Sequence, residues 1–141
     1  MFQKYCLSII LVFSFTSFAF CQKDIVGTIY FKNNSYSIDK KYKNKLDFIA
    51  KKITPETFRY LKIFGYASTT GSDSLNDELS LKRANAVYNY LATHARFDTT
   101  QVYVDGIGKS GKDVSYDLHF PQAHIRKRCV DVWVMFKRKK N

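Results

Sequence analysis

Cysteine is scarce in this chain. There are three, Cys6, Cys21 and Cys129, odd in number and scattered. A disulfide framework is therefore excluded as its source of stability. Long apolar runs are scarce too. Only Leu7 to Phe20 runs without a charge, and it stands at the N-terminus. A polytopic membrane protein is excluded, because each span needs about 20 apolar residues. Acids are few: 12 Asp and Glu against 23 Lys and Arg, a formal net charge of +11. Internal repeats and low-complexity segments are absent. At 141 residues the chain has room for one domain, not for a large multidomain enzyme. What remains is 45% hydrophobic, a globular composition.

The N-terminal run reads as an export signal. Lys4 gives a short positive start, and Leu7–Phe20 is the length of a signal-peptide core. Ala19 and Cys21 are small residues at −3 and −1 of a cut after Cys21, which divides the chain into a signal peptide, 1–21, and a mature chain from Gln22. Two alternatives stay open. A lipid anchor would sit on Cys21 itself, although Phe20 before it is not small. An uncleaved anchor is the other. Cleavage removes Lys4 and no acid, so the mature charge is +10, and it leaves Cys129 with no partner for an intrachain bridge.

A strongly basic chain ordinarily invites nucleic acid. Export argues against that partner here. The polyanions outside the inner membrane are lipid headgroups, lipopolysaccharide phosphates and cell-wall carboxylates. The plainer alternative is a solvated basic surface with no specific partner.

Along the mature chain, Ile25–Phe31 is β-branched and aromatic and reads as a strand. Ile38, Tyr42, Leu46, Ile49 and Ile53 recur at helical spacing, with six lysines mostly on the other face. Thr54-Pro55 ends that helix. Tyr60–Gly65 reads as a second strand. A second helix spans Leu75–His94, with a buried stripe of Leu79, Arg83 or Ala84, Val87 and Leu91. Gln101–Gly106 and Arg128–Phe136 are the remaining strands, separated by a long polar stretch, and a basic tail follows at 137–141. The order is β-α-β-α-β-loop-β. Helical crossovers predict that the first strands are neighbours in a parallel or mixed sheet. The expected fold is α+β: a two-layer βαβαββ sandwich, with a mixed four-stranded sheet and both helices on one face. Val130, Val132, Val134 and Phe136 share one face with Leu61, Ile63, Val102 and Val104. Tyr30, Phe64, Tyr103 and Trp133 fall on the other, which is either an open contact surface or covered by the long loop.

Catalytic chemistry finds little to stand on. His94, His119 and His124 do not pair with another ligand at metal-binding spacing. No paired carboxylates suggest acid/base work. Cys129 lies inside a strand, where a thiol is usually inert. Gly106-Ile107-Gly108-Lys109 lacks the full phosphate-loop pattern. The expectation is a protein that is not an enzyme and needs no cofactor or metal.

The informative stretch runs from Gly65 to Ala84. A strand ends, a loop turns at Gly71, and a helix begins. A lone Arg83 on a half-apolar face is odd for a residue that only fills space, and a guanidinium grips a carboxylate with two parallel hydrogen bonds. The plainer alternative is a structural salt bridge to Asp131 or Asp105. Gly65, Gly71, Ser72, Asn76, Leu79, Ser80, Arg83 and Ala84 fall in register with the Gly-His-Thr-Asp … Gly-Ser … Asn … Leu-Ser … Arg-Ala pattern of the OmpA-like domain. Gly106–Lys109, Lys127–Asp131 and the opening Tyr30-Phe31 … Asn34–Ile38 are similar to other parts of that family's pattern. The resemblance covers about residues 25–136 and puts an OmpA-like domain at 22–136.

The resemblance implies a non-catalytic envelope module that holds the free end of a peptidoglycan stem peptide, chiefly its diaminopimelate. In that family an Arg takes the carboxylate and an Asp lies by the ammonium end. Carried onto this chain, the ligand-binding positions are Arg83, Ser68, Thr69, Asn76 and Tyr66. The family's Asp falls on Ser68, and the His and Thr before it fall on Tyr66 and Ala67. Losing one charge-assisted bond, typically ~1.5–3 kcal/mol, weakens binding roughly ten- to a hundredfold. Asp73 is the nearest acid in the loop that follows.

Two functions follow from this. One is peptidoglycan binding through an altered pocket, with the basic charge adding attraction to an anionic envelope component. The other is a degenerate fold serving as an envelope protein-interaction or structural module. Either places the protein outside the inner membrane, in the periplasm or associated with the outer membrane.

Overall fold

The structure, a computed structural model, describes residues 24–68, 71–109 and 128–138. The leader and most of the long polar stretch lie outside them. The described elements are β1 (Ile25–Tyr30), α1 (Lys40–Lys52), β2 (Phe58–Ala67), α2 (Asp73–His94), a 3-10 turn (Thr99–Gln101), β3 (Val102–Lys109) and β4 (Cys129–Phe136). The four strands form one mixed sheet in the order β1-β4-β2-β3. The α+β architecture is as the sequence predicts.

Local chemistry sets the helix limits. Asp39 is the N-cap of α1, its carboxylate accepting from the Lys41 amide. Ser72 plays the same part for α2, accepting from the Leu75 amide, so the helix starts two residues before the expected Leu75. Leu46, Ile49 and Ala50 of α1 and Ala84, Val87 and Leu91 of α2 are buried with Ile29, Leu61, Ile63, Val130, Val132 and Val134. The second helix and one sheet face thus close over the core expected from strand alternation.

The strand order corrects one expectation. β1 and β2 are not neighbours, because β4 lies between them and pairs antiparallel with both. Only β2 and β3 pair in parallel among the described strands. The crossover through α1 is wide enough to leave a gap, the split arrangement of a βαβ unit. β4 fills it, and six of its eight residues are buried there.

Gly65 and Gly106 also differ from their predicted roles as strand ends. Both lie within longer strands and face each other in the parallel register. A Cβ on Gly65 would overlap the Ser80 carbonyl, and one on Gly106 would lie 2.5 Å from the Leu81 amide nitrogen. The backbone of α2 therefore rests directly on this glycine pair. That close approach also corrects the helix stripe. Ser80 is buried where Leu79 was expected, and Leu79 is only half-buried. A small residue fits against backbone, and its hydroxyl accepts from the Gly108 amide at 2.9 Å.

On the other sheet face Phe64, Tyr66 and Cys129 form a second buried cluster with Ile107 against it. Tyr30 and Tyr103 stay about half exposed, and Phe64 packs against Tyr103 with ring centroids 5.7 Å apart. Whether the long loop covers this face falls outside the described residues.

Candidate functional site

The carboxyl ends of β1 and β2 and the start of β4 meet at one end of the sheet. The first half of α2 crosses that end. Its buried side chains there are polar: Asn76, Ser80 and Arg83.

Arg83 is fully buried. Its Nε donates to the Ser35 carbonyl at 2.8 Å, one terminal nitrogen to the Tyr66 carbonyl at 3.1 Å, and the other to the Lys32 carbonyl at 3.2 Å. Its guanidinium carbon lies 5.5 Å from the centre of the Phe31 ring. Burial lowers its pKa from the ordinary arginine range, the positive charge of Arg128 pushes the same way, and Cys129 opposes them. An arginine remains protonated through such a shift.

Among the described residues this is a cage of carbonyl acceptors. Among the described residues no carboxylate lies within ion-pairing distance of Arg83. The two acids weighed as its internal partners are engaged elsewhere. Asp131 accepts from the Thr28 hydroxyl at 2.6 Å, and Asp105 accepts from the Gly106 amide and the Tyr103 hydroxyl. Asp73 is ion-paired with Lys109 at 2.7 Å. The guanidinium spends three of its five N–H groups on carbonyls. Two N–H groups remain, on a side chain that is fully buried.

The other sequence-derived positions take different places. Tyr66 reaches Arg83 through its backbone carbonyl, while its side chain belongs to the cluster with Phe64 and Cys129. Asn76 is buried, and its side-chain amide donates to the Ser72 carbonyl at 2.9 Å. The same amide lies against Gly71, whose φ of +92° is left-handed, so Asn76 braces the loop. Ser68 is half-buried, one residue beyond the end of β2. Thr69 lies outside the described residues.

Sequence reasoning missed the carbonyls of Lys32 and Ser35. They belong to the turn after β1, where Asn34 has a φ of +47° and the Ser35 amide donates to the Lys32 carbonyl. The signal was present as Asn33-Asn34-Ser35, residues that favour such turns. It marked a turn and not an arginine cage. A cleft of about 390 Å³ opens at the opposite end of the sheet, lined by Pro55, Phe58, Arg59, Asp98, Gln101 and Lys137, and shares no residue with this site. Among the described residues no group of three or more His, Cys, Asp or Glu gathers to hold a metal. No helix among them is long and apolar enough to cross a membrane.

Comparison with known proteins matches this geometry to one family. The model of the OmpA family matches residues 30–125, about two thirds of the chain. Outer membrane protein Omp38 of Acinetobacter baumannii is 30% identical over 78 residues, which is 55% of this chain and 22% of that protein. The putative lipoprotein YfiB of Escherichia coli is 28% identical over 81 residues, 57% of this chain and 51% of that protein. The chain thus spans about half or less of the curated relatives it matches. The crystal structure of the peptidoglycan-associated lipoprotein from Burkholderia pseudomallei superposes with a TM-score of 0.58 at 26% identity, covering 78% of this chain and 89% of that one.

Proposed function

This chain belongs to the OmpA family, and we propose that it binds peptidoglycan in the cell envelope through an altered pocket. Arg83 receives a stem-peptide carboxylate, Ser68 stands where the family pattern has its acid, and Thr69, Asn76 and Tyr66 are the further ligand-binding positions. The protein acts after export, in the periplasm or against the outer membrane, as a binding module without catalysis.

One observation carries this reading. A full positive charge is buried at the family's arginine position, and among the described residues it has carbonyl partners only. Desolvating an ion costs several kcal/mol unless an opposite charge compensates. A ligand carboxylate supplies that charge. Family relatives support the envelope setting by their names: one is an outer membrane protein, another a peptidoglycan-associated lipoprotein. Arg83 is buried, so the ligand has to open the site to reach it, and binding is expected to be weak.

The test is co-sedimentation of residues 22–141 with purified peptidoglycan sacculi at low and high salt. All residues of the two core clusters lie between 29 and 136, so this fragment carries the complete described core. Salt-resistant pelleting marks the pocket, since screening removes surface attraction. Ser68→Asp restores the acid and is expected to strengthen pelleting roughly ten- to a hundredfold. Arg83→Ala is expected to abolish it, with circular dichroism confirming that the variant is folded. No salt-resistant pelleting by either the wild type or Ser68→Asp would refute the reading in favour of an interaction module.

A further inference from the structure

A second surface stands apart from the Arg83 site. Helix α1 reads KKYKNKLDFIAKK: six lysines and one acid in 13 residues. Its net +5 is nearly half of the formal +11 of the whole chain. All six lysines are exposed, and one of them, Lys45, donates to the Thr28 carbonyl of β1 at 3.3 Å. The one acid, Asp47, accepts a hydrogen bond from the Tyr90 hydroxyl of α2 at 2.7 Å, which engages it with the neighbouring helix.

Phe48 makes this more than a solvated charge run. Its side chain is on the outer face, and the residue is 56% exposed. On a helix the surface neighbours of a residue are three and four positions away. For Phe48 these are Asn44, Lys45, Lys51 and Lys52, and Lys52 already holds its ammonium 5.5 Å from the ring centre. A large apolar ring therefore projects from the middle of a lysine field. The core does not use it, because Leu46, Ile49 and Ala50 supply the buried face of α1.

We propose that this face of α1 docks the domain on the surface of an anionic phospholipid bilayer. The lysines suit any polyanion, but the ring selects among them. A hydrated wall polymer offers carboxylates and no apolar layer. A bilayer places phosphates directly above hydrocarbon. Lysine heads remain at the phosphate level while their stems, and the Phe48 ring between them, reach the acyl boundary. The contact is peripheral and involves none of the residues assigned to the Arg83 site.

The test is sedimentation of residues 22–141 with vesicles of phosphatidylcholine alone and of phosphatidylcholine mixed with phosphatidylglycerol. Binding is expected only to the mixed vesicles and is expected to fall in high salt. Lys51→Gln and Lys52→Gln should each weaken it about fivefold. Phe48→Ser should weaken it by a similar factor. Phe48→Trp should gain fluorescence that brominated lipid quenches on the mixed vesicles, beyond any quenching of the native Trp133. Equal binding to both vesicle types overturns the proposal. So does binding that tolerates Phe48→Ser while losing strength with the lysine variants, because that result assigns the face to a polyanion without an apolar layer. The sacculus assay reads the Arg83 site separately, and either reading can fail while the other stands.

Discussion

Arg83→Lys is the sharpest test of the cage. Lysine keeps the positive charge and loses the fork. The three carbonyls of Ser35, Tyr66 and Lys32 are each met by a different guanidinium nitrogen. An ammonium is a single point and cannot serve all three. At least one bond is lost, and two when the ammonium settles on one acceptor. A hydrogen bond to a charged group is worth ~1.5–3 kcal/mol. The Tyr66 carbonyl is in a buried setting, whereas Lys32 is exposed and Ser35 half-buried, so water repays part of the loss at the turn. The expected destabilisation is therefore about 2–4 kcal/mol, or roughly 8–16 °C in Tm for a domain of this size. Urea melts with the same m-value would measure it. Hydrogen exchange would localise it, because the turn at 32–37 is tied to α2 through Arg83 and its amides should lose protection. A change below ~1 kcal/mol, or unchanged exchange at the turn, would show that the cage does not hold the loop.

Three further outcomes follow from particular contacts. Gly65→Ala forces a methyl into the Ser80 carbonyl; both sides of that clash are backbone, so a loss near ~3 kcal/mol is expected in urea melts, with α2 displaced in a crystal structure. Thr28→Val removes the hydroxyl that donates to the buried Asp131 carboxylate at 2.6 Å, and should cost ~1.5–3 kcal/mol, which a Thr28→Ser control should largely recover. Hydrogen bonds to Thr54, Lys82 and Thr100 hold the pKa values of Glu56, Glu78 and Asp98 below the ordinary carboxylate range. Whatever stability these exposed groups add is present above their unfolded pKa values and is lost as pH falls through the folded ones. Stability measured from neutral to acid pH should decline on that limb, and the triple variant Glu56→Gln, Glu78→Gln, Asp98→Asn should decline less.

Most of the fold was legible because it rests on local repetition. The spacing of Tyr42, Leu46, Ile49 and Ile53 marks α1, and the alternation from Val130 to Phe136 marks β4 and its faces. Strand order was not legible. It depends on which strand fills the gap between β1 and β2, a long-range competition that no short window contains. The two glycines were misread for a related reason. Gly65 and Gly106 read as strand ends in sequence, but their lack of a side chain serves the approach of a helix from elsewhere in the chain. Leu79 gave way to Ser80 through the same contact.

The site was legible where it depends on residue type. Arg83 stood out as a charge in an apolar stripe, and it is buried. Its partners were not legible, because a carbonyl is present at every position and leaves no compositional mark. Only the turn propensity of Asn33-Asn34 pointed at the segment that provides two of the three.

Arg83 has a structural task in closing the turn at 32–37 onto α2, so its presence alone does not establish a ligand. The three carbonyls require the three-pronged donor set of a guanidinium, and that set brings a full charge into a buried site at a desolvation cost. On the proposed reading an anionic ligand would offset that cost. Ser68 is outside both core clusters and beyond the last residue of β2. If the proposed pocket binds a stem peptide, serine in place of the family's acid there changes what it offers the ligand's ammonium without entering the core. On the proposed reading, Arg83 variants therefore change stability and affinity together, while Ser68 variants change affinity alone. Ser68→Asp is the substitution that isolates recognition from folding.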